Sequence, residues 1–156
     1  MPITFQQSAK QLQRLADVVS RNRSKYQTIA SNEVKSLLSK RIHNRGLNTD
    51  GRKIGSYSAA YAKARKTGLN IGGRIYKGLQ TAYVDLQVTG DLFRSEITGR
   101  SGKNIVVGIA GNLQVEKAGK MEEKYGEVFK PSKSETRAAE IKFMRELDED
   151  VKKALK

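Results

Sequence analysis

Seven glycines divide the chain between Gly46 and Gly78, at positions 46, 51, 55, 68, 72, 73 and 78. No apolar period of either helix or strand survives across them. Glycine loses more backbone freedom on folding than any other residue, and this span has few large apolar side chains to offset the loss. Basic residues and tyrosines fill the gaps. From Lys35 to Lys77 there are eleven Lys/Arg against one acid, Asp50, with Tyr57, Tyr61 and Tyr76 among them. A long stretch of this kind inside a compact domain is usually functional or ordered by a partner. Residues 46–80 are therefore expected to form an extended arm of a single domain covering 1–156.

Local signals within and around this span are clear. Leu12, Leu15 and Val19, then Tyr26, Ile29, Val34, Leu37, Leu38 and Ile42, recur at helical steps over 5–44. The polar stretch RNRSKYQ at 21–27 predicts a kink or break there, and Gly46 suits the helix C-terminus. Asn48-Thr49-Asp50-Gly51 predicts a turn. Ser58 can cap a short helix to Lys66, ended by Gly68. Thr81 to Thr89 alternates and predicts a half-buried strand. Asp91 is then placed as the N-cap of DLFRSEI, with Leu92 and Ile97 facing inward. KNIVVGIA at 103–110 predicts a second strand after a turn at GRSG, 99–102. Glu116 to Tyr125 suits a short helix that stops at Gly126. A final helix follows Pro131, with Ser132 and Glu135 as a capping box and Ile141, Met144, Leu147, Val151 and Leu155 as one apolar stripe. The order gives an α+β class: long N-terminal and C-terminal helices on a small antiparallel sheet, with the arm between.

Charge and composition narrow the function. The net charge is +14, of which residues 1–84 carry +13 and residues 85–156 only +1. Such asymmetry draws phosphate backbones or acidic protein surfaces to the front half. Tyr and Arg both stack on bases and dominate protein contacts, so the residue types leave nucleic acid and protein open as partners. Cysteine is absent, which removes disulfides and thiolate chemistry. His43, the only histidine, is read as a surface residue at a helix end. No cofactor or metal is expected. A nuclease would need Asp50, Asp85 and Asp91 to converge on a metal, yet Asp50 and Asp91 have sufficient roles in a turn and a cap. MPITFQQSAK lacks the apolar core of a signal peptide, and no stretch is apolar enough to span a bilayer.

Three stretches in order carry a family resemblance. They are RIHNRGLNTDGRKIGSYSAAYAKARKTG, then YVDLQVTGDLFRSEI with KNIVVGIAG, then EEKYGEVF from Glu122 to Phe129 before the last helix. Together they resemble the neck, or tail-completion, proteins of long-tailed bacteriophages over Arg41 to the C-terminus, with Phe93 where methionine is usual. The resemblance implies a virion structural part and not an enzyme. It implies a homo-oligomeric ring of six or twelve copies at the head–tail junction, between portal, adaptor and tail proteins, around the DNA channel. Related families act as tail terminators or virion morphogenesis factors. Assembly would take place in the bacterial cytoplasm.

On this reading Tyr57, Tyr61, Arg65, Lys66, Ile71, Arg74, Ile75 and Tyr76 are expected to bind neighbouring subunits or partners. Arg45, Arg52 and Lys53 are the candidates for non-specific contact with channel DNA. The alternatives from the residues themselves are a free basic nucleic-acid-binding protein and, ranked last, a small nuclease.

Overall fold

The computed structural model describes residues 5–101 and 104–155. The chain is α+β. Helix α1 runs from Phe5 to Ser39 and continues as a π-helical turn, Lys40–Asn44. Helix α2 (Ala59–Thr67) leads into a hairpin of β1 (Leu69–Ile71) and β2 (Arg74–Tyr76). A one-turn helix α3 (Asp91–Arg94) precedes a second antiparallel hairpin, β3 (Glu96–Ser101) and β4 (Asn104–Ile109). Helices α4 (Asn112–Tyr125) and α5 (Lys133–Ala154) complete the chain.

Helix α5 lies antiparallel along the second half of α1. Arg41 meets Glu135 at one end, Glu33 meets Lys142 midway, and Lys25 and Tyr26 meet Asp150 at the other. Tyr26 also packs edge-on against Phe143, ring centroids 5.8 Å apart. The face of α5 turned to α1 carries Glu135 and Ala139, both buried. Ile141 and Met144, expected in the inward stripe, point outward instead, because the sequence stripe lies to one side of the face that α1 covers. The core itself gathers Leu38 and Ile42 from the end of α1, Ile54, Val84 and Val128. Tyr57, Leu86, Tyr125 and Phe129 pack around it.

Several expected features recur where the chemistry is local. Gly46 sits at φ +62 and its N–H closes on Ile42 O at 3.0 Å. The Asn48 Oδ1 accepts from the N–H groups of Asp50 and Arg52 in the turn at Gly51. Ser58 caps α2, Gly126 ends α4, and Ser132 with Glu135 forms a complete capping box on α5.

Other expectations are corrected. The polar stretch 21–27 does not break α1; the irregularity comes later, at the π-helical turn. Its wider winding brings Arg41, Ile42 and His43 all into the interior, whereas consecutive residues of a regular helix point about 100° apart. No strand forms over 81–89, because Leu86 adopts φ +53 and breaks the extended run. The partner of β4 is therefore β3, with Glu96 opposite Ile109 and Gly99 opposite Val106. Gly99 to Ser101 lie in that strand and not in a turn, while Gly102 and Lys103 fall outside the described residues. Asp91 is the first helical residue, with Gly90 at the cap position (φ +77), and Ile97 faces outward from β3.

The arm is the largest correction. Residues 46–67 do not extend from the body: Gly46, Ile54 and Arg65 are buried within it. Only the β1–β2 hairpin projects, through a two-residue turn whose Gly72 (φ +58) and Gly73 (φ +81) are both left-handed. That is the geometry of a type I′ turn.

Candidate functional site

Arg65 is the largest fully buried side chain among the described residues, 1 % exposed. Each nitrogen of its guanidinium has a partner. Its Nε donates to Gln80 O at 2.9 Å and its Nη1 to Gln87 O at 3.0 Å. Its Nη2 donates to both carboxylate oxygens of Asp85 at 3.1 Å. The planar group stacks on the Tyr57 ring at 4.4 Å, with Tyr61 beyond it at 5.9 Å. An arginine suits this place because its donors are fixed in a plane and it stays charged. Asp85, also buried, accepts in addition from the Tyr57 hydroxyl at 2.7 Å and from the Gln87 N–H at 3.0 Å. Burial, then the hydrogen bond to Asp85, hold the Tyr57 phenol well above the usual tyrosine range.

The cluster continues into the π-helical turn. His43 Nδ1–H donates to Asp85 O at 2.7 Å, and its Nε2 faces Glu96 Oε1 at 3.5 Å. Ser39 donates to the other oxygen of Glu96. Phe93 covers the imidazole edge-on at 5.0 Å. His43 is therefore a buried connector and not a surface residue, at 6 % exposure. A second buried arginine, Arg41, ties Glu135 (2.8 Å) to the carbonyls of Leu47, Val128 and Lys130, each at 3.0 Å. The Glu122 carboxylate accepts from the N–H groups of Val128 and Phe129 and so shapes the EEKYGEVF stretch.

The three stretches that carry the resemblance thus supply one continuous interior. This corrects the assignment of Arg65 to a partner surface, since each of its three guanidinium nitrogens donates within its own chain. Tyr57 belongs to the same interior, and Tyr61 is half-buried against it, edge-on at 5.2 Å. Lys66, Ile71, Arg74 and Ile75 are exposed, and Tyr76 is half-buried with Arg74 over its ring. The hairpin is clamped at its roots: the N–H groups of Gly78 and Leu79 donate to Lys66 O and Arg65 O, both at 3.1 Å.

Arg45, Arg52 and Lys53 are exposed and make no ion pair among the described residues. Arg45 shares a groove with Lys40, Lys130 and Lys133 beside the start of α5, a groove that Arg52 and Lys53 do not line. Asp85 is consumed by Arg65, and Asp91 is engaged with Thr89 and Arg94. Among the described residues no three His, Asp or Glu side chains gather in a way that holds a metal ion. None of their helices is long and apolar enough to cross a membrane.

Sequence reasoning missed Asp85, Glu96 and Arg41 as organising residues, and read Glu135 as a capping residue without its pairing to Arg41. One signal was available: Asp85 is the only acid between Asp50 and Asp91, in a chain half crowded with cations. Comparison with known protein families, with curated proteins and with solved structures finds no match.

Proposed function

We propose that the chain is a structural subunit of a bacteriophage virion that assembles into a ring of six or twelve copies at the head–tail junction. On this reading the ring surrounds the DNA channel and meets portal or adaptor proteins on one side and tail proteins on the other. Tail termination and virion morphogenesis are neighbouring duties of the same kind. The resemblance of the three ordered stretches supplies the prior. The observation that carries the reading is the amount of apolar surface a single copy leaves uncovered. Leu12, Ile75, Leu113, Val115, Ile141 and Met144 are each more than half exposed. Covering the exposed part of one such side chain contributes about 1–2 kcal/mol to an assembly, and it is adjacent side chains of this kind that mark contact regions. Ile97 and Val106 add a patch on one face of the β3–β4 hairpin, where register makes them diagonal neighbours. Native mass spectrometry across micromolar concentrations tests the proposal. A discrete six- or twelve-fold species is expected, and a monomer at every concentration refutes it.

A second reading, a free nucleic-acid-binding protein, is favoured by the exposed cations Arg45, Arg52, Lys53, Lys66 and Arg74, which make no ion pair among the described residues. It predicts tight duplex binding by a monomer, with log K falling by about 0.9 per phosphate neutralised as log salt rises.

A further inference from the structure

We propose that the β1–β2 hairpin of one copy seats in the apolar groove between α1, β4 and α5 of the next copy, so that the ring contact runs head to tail. The proposal rests on the ring reading and names the two surfaces that make it.

The hairpin presents an isoleucine on each of its two faces. Register pairs Asn70 with Ile75 and Ile71 with Arg74, and alternation sends these two pairs to opposite sides of the ribbon. Ile75 is 68 % exposed and Ile71 39 % exposed. An isolated two-stranded ribbon is marginal in water, and one with apolar groups on both sides is covered by a slot and not by a flat surface.

The same chain carries such a slot. A groove of about 860 Å³ opens between Val34 of α1, Val106 and Val107 of β4, and Ala139, Phe143 and Met144 of α5. That volume falls within the range of clefts that bury a drug-sized group. Its rim is apolar and exposed, at Val106 (44 %) and Met144 (59 %). None of its lining residues comes from 46–80, so the hairpin does not fill it within one copy.

Charge supports the pairing. No acid lies between Asp50 and Asp85, and Lys66, Arg74 and Lys77 flank the hairpin, exposed and without ion pairs among the described residues. The groove carries Glu140, an exposed carboxylate that makes no ion pair among the described residues. Opposite charge at the rim orients the encounter. Because peg and slot are different surfaces, the contact is heterologous and closes into a ring when the rotation permits.

The chain has no cysteine, so engineered thiols report contacts without background. Ile75→Cys and Met144→Cys both change exposed positions and leave the interior untouched. Under mild oxidation the double variant is expected to give a ladder of linked species up to the ring size, whereas each single variant stops at dimer or below. Ile75→Asp and Val106→Asp should each lower the ring population at least tenfold. An equimolar mixture of the two should stop at heterodimer, because it holds one competent peg and one competent slot. Rings that persist in Ile75→Asp, or that form without the 75–144 link, assign the hairpin to another partner and overturn the pairing while the ring reading stands. A wild-type chain that stays monomeric overturns both.

Discussion

Residues 46–67 and residues 68–78 share a composition, glycine-punctuated, basic and carrying tyrosine, yet one is built into the body and the other is held out from it. What separates them is access to a single carboxylate. Arg65 reaches Asp85 and is buried with every guanidinium nitrogen donating; Arg74, nine residues on, lies over the Tyr76 ring, makes no ion pair among the described residues and stays exposed. A guanidinium enters a protein interior only where a counter-charge and further acceptors meet it. Basic composition therefore did not decide which part is an arm. The placement of one acid did.

The comparison is broken most directly at Arg65. Arg65→Ala leaves the Asp85 carboxylate buried and unpaired, and the expected loss is about 3–5 kcal/mol of unfolding free energy by urea titration. An unchanged midpoint would remove the distinction between the two stretches. The glycines give a second contrast. Gly46→Ala combines a left-handed φ with a Cβ placed 2.5 Å from the Tyr83 ring, and should cost about 2–4 kcal/mol. Gly72→Ala has the same backbone strain at φ +58 but open space around it, so about 1–2 kcal/mol is expected, confined to the hairpin. Hydrogen exchange of the β1–β2 amides checks that confinement. Ile75→Ser, on the projecting side, should move monomer stability by less than about 0.5 kcal/mol while weakening assembly.

The last effect is one of pH. Hydrogen bonds from Lys25 and Tyr26 hold the Asp150 carboxyl below its ordinary value of 3.8. A depressed folded pKa means that this contribution is fully present above the ordinary value and is lost as pH falls through the folded one. Asp150→Asn should flatten the acid limb of the stability curve below about pH 4 and leave the hairpin's behaviour unchanged.

Legibility in the sequence followed distance along the chain. The Gly46 terminus, the Asn48 turn, the Ser58 cap, the Gly126 stop and the Ser132–Glu135 box each depend on neighbours within a few residues, and each was readable. The alternation Val84, Leu86, Val88 was misleading because burial there is driven by Asp85 meeting Arg65 and His43 from elsewhere, with Leu86 turned left-handed to allow it. The β1–β2 hairpin was hidden by its three-residue strands, although Gly72-Gly73 was its signature. The arginine ion pairs of the interior network join residues 20 and 94 positions apart, Arg65–Asp85 and Arg41–Glu135. No local pattern encodes such pairs.

The clamp at Gly78 and Leu79 has a mechanical consequence. Both legs of the hairpin are fastened to the same end of α2, and that end is bolted down by Arg65, so the projection behaves as a stiff peg and not as a tether. Little freedom remains for it to lose when it meets a surface. A sideways push at its tip is delivered, through two main-chain bonds, to the salt link in the protein interior.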